Sequence, residues 1–268
     1  MRKISLVVSD VDGTLVTHDK VLTPRAIAAV VRLHAARIPV SVCSSRPPFG
    51  LRMLIEPLGL VLPFGGYNGG TVVNPDFSIV EQRLIPLDAA REAVGVFRAN
   101  RIDCWVFAGN AWLILNPAGS HVAHETRTVQ TPPTVVPAFT DEHLASAGKI
   151  VGPNDDHDLI ARLAAQLQEA LGGRANVARS QPYYCDVVAP GIDKGRLVTL
   201  LAQRLQVPAQ EIMVLGDMEN DLEMFRVAGF AVAMGNAADA VKRAAQAVTL
   251  SNDEDGFATA IERHVFGD

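Results

Sequence analysis

Only three cysteines, Cys43, Cys104 and Cys185, occur in the 268 residues, and they stand far apart. So few, odd in number and scattered, they supply neither a disulfide framework nor metal-ligand spacing, which fits a reducing compartment. No apolar run approaches the roughly 18 residues that a membrane-crossing helix needs. Met1-Arg2-Lys3 leads into a short apolar run broken by Ser9 and Asp10, which does not read as a secretory leader. A cytoplasmic protein with no membrane partner is therefore expected. Basic charge is not in excess either: the net charge is -5, where a nucleic-acid binder would carry a basic stripe. Internal repeats and low-complexity tracts are absent. Apolar material is plentiful, at 49 % against 20 % charged, so the chain can bury a sizeable core as one large domain or two modest ones.

The first part alternates strands and helices. Ile4 to Val8 reads as a buried strand. Thr23 and Pro24 open a helix, as cap and first helical residue, with Ile27, Val30, Val31 and His34 along one face. Ile38 to Cys43 reads as a second strand, Phe49 to Leu58 as a helix, and Pro63 to Gly70 as a glycine-rich loop. From about Arg83 to Tyr184 the pattern loosens. Cys104–Phe107 and Ala111–Leu115 flank Gly109-Asn110 as a hairpin, and Leu159, Ile160, Leu163, Leu167 and Leu171 mark an amphipathic helix. Alternation returns near Asp186, with a helix from Lys194 to Leu205 capped by Asp193. Strands follow at Glu211–Leu215, Phe230–Met234 and Ala247–Leu250. The fold class expected is α/β: a Rossmann-like parallel sheet core over 1–82 and 185–268, with an inserted α+β domain over 83–184.

In open parallel sheets ligands bind beyond the carboxyl ends of the strands, and four polar motifs fall at or beside such ends. Asp10-Val11-Asp12-Gly13 follows the first strand. Alternate residues of a strand point the same way, so Asp10 and Asp12 could converge, and two close carboxylates call for a cation; taken alone, an acidic solvated turn is the equal alternative. Ser44-Ser45-Arg46 offers a hydroxyl, a backbone N–H and a fixed cation, all suited to phosphate oxygens. Lys194 stands in the first turn of a helix, where a cation opposes the helix dipole unless it serves an anion. Gly216-Asp217-Met218-Glu219-Asn220-Asp221 arrays Asp217, Asn220 and Asp221 around a strand-to-helix turn, and such oxygen-only donors suit a hard cation like magnesium.

Asp10-Val11-Asp12-Gly13-Thr14-Leu15, Ser44, Lys194 and Gly216-Asp217-x-x-Asn220-Asp221, in this order, resemble the four motifs of haloacid dehalogenase-like phosphatases. The inserted segment between the second and third motifs, Asn68-Gly69-Gly70, Met234-Gly235-Asn236-Ala237 and Ser251 to Gly256 resemble the Cof-type subfamily, whose inserted domain is a class IIB cap. The resemblance covers about the first and last eighty residues. It implies that Asp10 attacks phosphorus to form an aspartyl-phosphate and that Asp12 acts as proton carrier. It implies magnesium held by Asp10, the Asp12 backbone carbonyl and Asp217, with Asp221 acting through water or through Lys194. Ser44 and Lys194 would grip the phosphoryl oxygens, and Ser45, Arg46, Asn68 and Asn220 complete the implied phosphate- and substrate-binding set. Ser45 stands where the subfamily commonly has glycine.

Other groups read more plainly. His121-x-x-His124 lacks a third ligand nearby, Cys43 reads as core, and Trp105 and Trp112 as core of the inserted domain. Arg46 reads equally as an ion-pair partner or a substrate contact. The leading expectation is a phosphatase for a small phosphorylated metabolite, sugar phosphates favoured, with the inserted domain selecting the leaving group. A phosphomutase and a non-catalytic metabolite-binding protein are the alternatives. Sequence does not separate monomer from homodimer.

Overall fold

A computed structural model describes residues 3–268, which fall into two compact units. The first takes the chain up to Ser44, Leu51–Val80 and Asp193–Asp268; the second takes Ser45–Gly50 and Glu81–Ile192.

Hydrophobic runs without alternation build the first unit. Leu6–Ser9 is buried at every position, as expected of a parallel strand covered on both faces. It pairs in parallel with Val40–Val42 on one side and Ile212–Gly216 on the other. Phe230–Ala233 and Ala247–Val248 extend the sheet beyond Ile212–Gly216, again in parallel. One face, through Val7, Val42 and Leu215, packs on the helices Pro24–Ala35 and Gly256–Ile261. The other, through Leu6, Val8 and Val214, packs on Gly195–Leu205 and Leu222–Val227. Capping follows the sequence: Thr23 Oγ1 accepts from the Ala26 N–H at 3.1 Å, and Asp193 Oδ1 from the Arg196 N–H at 3.1 Å. The helix expected over Phe49–Leu58 is shorter. It is a 3₁₀ turn, Pro48–Leu51, and one α-turn, Arg52–Ile55, because prolines before it and at Pro57 remove amide donors.

The second unit is a six-stranded sheet in the order Asn176–Gln181, Tyr184–Val188, Ala147–Pro153, Trp105–Ala108, Ala111–Ile114, Thr134–Val135. All its pairings are antiparallel except the last. The hairpin turns at Gly109-Asn110, with Trp105 opposite Ile114. One sheet face, carrying Val106, Ile150, Cys185 and Val187, packs on the helices Leu87–Ala99 and His157–Leu171.

Placing the return of the core at Asp186 is corrected by the register. Tyr184–Val188 pairs with Ala147–Pro153 and Asn176–Gln181, so this strand belongs to the inserted sheet and the unit continues to Ile192. An apolar strand looks alike in both sheets; only its partner decides.

Candidate active site

Sheet register brings three of the four motifs to adjacent strand ends. Ser9 pairs with Leu215 and with Val42, so Asp10, Gly216-Asp217 and Cys43-Ser44 leave the sheet side by side. Lys194 arrives from the start of the helix Gly195–Leu205. Its Nζ donates to Asp10 Oδ1 and to Asp221 Oδ1, each at 2.5 Å. The lysine is 2 % exposed and Asp221 fully enclosed. Asp221 Oδ2 accepts from the N–H groups of Asp217 and Met218, at 2.9 and 3.0 Å. Asp221 thus holds the Asp217 turn and the ammonium at once.

Asp217 receives Thr14 Oγ1 at 3.4 Å and Asn236 Nδ2 at 3.2 Å, and Asn236 Nδ2 also donates to the Gly13 carbonyl at 2.9 Å. Gly13 has φ +82°, and a Cβ there would come within 2.3 Å of Asp217 Oδ2. Only glycine lets that turn and that carboxylate coexist.

Burial sets the electrostatics. It pushes Asp10 up to about 7; Lys194 opposes this, while the charges of Asp221 and Asp12 reinforce it. It pushes Asp217 up to about 8, with Asp10 and Asp221 adding to the rise and Lys194 and Thr14 opposing. For Lys194 burial works the other way, yet Asp10 and Asp221 beside it hold the ammonium above its ordinary range. Asp10, Asp217 and Asp221 offer oxygens within 4.8 Å of one another. Three buried carboxylates against one lysine leave negative charge in excess, and oxygen-only donors fit a small hard cation.

The carboxylate of Asp12 lies outside that cluster. It pairs with Lys20 Nζ at 2.8 Å and keeps 12 % of its side chain exposed. Beside the strand ends, the Ser44 N–H donates to the Gly65 carbonyl and the Asn68 N–H to the Ser44 carbonyl. Asn68 adopts the left-handed region, φ +57°, and accepts Asn220 Nδ2 on its Oδ1 at 3.0 Å. Buried Ser44 and Asn68 and half-buried Asn220 therefore form one patch in the first unit.

Ser45 and Arg46 go elsewhere. Both belong to the second unit, where Arg46 donates to the carbonyls of Thr128 at 2.6 Å and Gly50 at 3.3 Å. Of the two readings of Arg46, these contacts favour the structural one. Thr14, Lys20 and Asn236 were not singled out by sequence as site residues. Thr14 and Asn236 stood inside quoted motifs; Lys20 carried no signal.

A family model of haloacid dehalogenase-like hydrolases matches residues 7–261. A pyridoxal phosphate phosphatase of Escherichia coli is 26 % identical over 266 residues, covering 96 % of this chain and 97 % of that protein. A solved haloacid dehalogenase-like hydrolase from Bacteroides thetaiotaomicron superposes with TM-score 0.88 at 30 % identity, covering 97 % and 99 % of the two chains. The chloroplastic endoribonuclease YBEY of Arabidopsis thaliana is 36 % identical over 137 residues; that stretch is 50 % of this chain and 24 % of that protein.

Proposed function

We propose, for a chain that belongs to the haloacid dehalogenase-like hydrolase family, the hydrolysis of a small phosphorylated metabolite through an aspartyl-phosphate on Asp10. The observation that carries this reading is the buried array of Asp10, Lys194, Asp217 and Asp221 at neighbouring strand ends. Relatives named as phosphatases, one of them for pyridoxal phosphate, support the same reaction class. Sugar phosphates are the favoured substrates.

Asp10 supplies the attacking oxygen. A bond forms between Asp10 and phosphorus as the bond to the leaving oxygen breaks. Asp12, partly exposed and outside the carboxylate cluster, protonates that oxygen and then takes a proton from the water that hydrolyses the intermediate. Ser44 and Lys194 hold the phosphoryl oxygens as charge builds on them. Asp10, Asp217 and the Asp12 carbonyl would hold magnesium, and Asp221, both of whose oxygens are engaged, would act through Lys194 and the Asp217 backbone. When bound, the ion neutralises phosphate charge and lets an anionic nucleophile approach an anionic substrate. The inserted unit would select the leaving group.

The test is phosphate release over a metabolite panel, with and without magnesium, for wild type and Asp10→Asn. Release by wild type with magnesium and none by the variant is expected. Equal release by both removes Asp10 as nucleophile.

A further inference from the structure

Lys20 belongs to none of the four motifs, yet its Nζ lies 2.8 Å from Asp12 Oδ1. It reaches back on a tight loop of the first unit. The Thr17 N–H donates to the Val21 carbonyl at 3.0 Å, and the Lys20 N–H to the Thr17 carbonyl at 2.9 Å. The Thr17 hydroxyl accepts from the Val21 N–H at 3.2 Å. Within this loop Lys20 has φ +63°, in the left-handed region that a side chain disfavours.

The acidic turn 251–256, which the proposed reaction leaves without a role, fastens that loop. Asn252 Nδ2 donates to the Val16 carbonyl at 2.9 Å. Asp253 Oδ1 accepts from the His18 N–H at 2.8 Å, and Asp255 Oδ1 from the Thr23 hydroxyl at 2.6 Å. The Asn252 N–H donates to Asn236 Oδ1 at 3.1 Å, and Asn236 Nδ2 in turn donates to the Gly13 carbonyl and to Asp217. One turn therefore ties the loop on both sides of Lys20 to the scaffold that holds Asp217.

Stability does not account for this arrangement. The side chains of Lys20 and Asp12 are 22 % and 12 % exposed; an ion pair open to solvent adds little, and a left-handed lysine takes some of that away. Backbone held in a sparsely populated region by so many contacts points to function. Asp12 is the group that needs holding. Like charge pushes its carboxylate away from Asp10, two residues before it, and a proton carrier must meet the leaving oxygen within hydrogen-bond reach. Repulsion excludes one direction, whereas a fixed cation selects one.

We propose that Lys20 is a positioning residue that acts through Asp12, holding its carboxylate in place for proton transfer, with the turn 251–256 as the latch on the Lys20 loop. The proposal rests on the phosphatase reading above, in which Asp12 carries the proton.

Two substrates of similar shape test it, phenyl phosphate and p-nitrophenyl phosphate. Phenolate needs a proton as it departs; nitrophenolate leaves well without one. The readout is kcat/KM, which reports the free energy from free enzyme and substrate to the transition state. Lys20→Met is expected to lower it about 10- to 100-fold for phenyl phosphate and less than about 3-fold for p-nitrophenyl phosphate. Added to Asp12→Asn, the same substitution is expected to change neither value further, because its effect runs through Asp12. Equal loss on both substrates, no loss on either, a rise in KM alone, or a loss that adds to that of Asp12→Asn overturns the proposal. Lys20→Gly removes the ammonium and suits a φ of +63°, so its thermal melt and activity separate the lost charge from a disturbed loop. The same selective loss is expected from it, and wild-type selectivity overturns the proposal. Failure of the phosphatase reading shows separately, as equal phosphate release by wild type and Asp10→Asn.

Discussion

Each unit buries one lysine, and the two are held differently. Lys194, in the parallel-sheet unit, bridges Asp10 and Asp221 with two contacts of 2.5 Å, and Asp217 stands beside them. Lys149, in the inserted sheet, faces one carboxylate, Asp186, at 2.6 Å. The first array carries more negative than positive charge, which leaves a place for a further cation. The second is balanced in charge but poor in hydrogen bonds. An excess of negative charge invites an ion.

The sharpest way to break this comparison is to remove each lysine. Lys194→Met is expected to lower phosphate release by about 100- to 1,000-fold or more and to cost about 3–5 kcal/mol by stranding two carboxylates. Lys149→Met strands one, and by the same rule costs about 3–5 kcal/mol in urea denaturation. A neutral Lys149→Met would mean that Asp186 is already satisfied, and the contrast would fall.

Metal dependence comes next. Magnesium should raise the melting temperature of wild type and not of Asp217→Asn. Gly13→Ala should weaken magnesium affinity by about 10- to 100-fold, because its Cβ would come 2.3 Å from Asp217 Oδ2 and its φ of +82° disfavours alanine. Titrating magnesium against activity reads this directly, and an unchanged midpoint would show that Asp217 does not depend on that turn.

The opposite control lies in the inserted unit. A Cβ at Gly152 would come 2.3 Å from the Phe97 ring, so Gly152→Ala is expected to cost about 1–3 kcal/mol through overpacking, with the magnesium midpoint unmoved. The smallest effect concerns the thiols. Cys43 and Cys185 are fully enclosed and burial pushes both thiols up, so a disulfide reagent near pH 8 should label neither until denaturant is added. Rapid labelling of Cys185 alone would show that the inserted sheet opens on its own.

Legibility in the sequence followed the range of the interactions. Asp10, Ser44 and Asp217 could be placed because each follows an apolar strand within a few residues, and parallel strands present the same end to one edge. Asp193 announced itself as a cap, and accepts the Arg196 N–H as caps do. Lys20 could not be found, because its pairing with Asp12 depends on how the intervening loop folds back. Arg46 looked as fit for substrate as for structure, and its partner at Thr128 lies 82 residues away. The strand Tyr184–Val188 straddles the expected boundary at 184/185, because an isolated apolar strand does not declare its partner.

The sequence by itself determined the α/β class, the order of the four motifs and the family resemblance, since these reside in short segments whose turn and capping chemistry is local. Tertiary structure alone decided that Lys194 joins Asp10 to Asp221 and that Lys149 meets Asp186. It also decided that Ser45–Gly50 belongs with the inserted unit. Those pairings arise from sheet register and helix docking, where residues far apart in the chain are brought together by the burial of apolar surface around them.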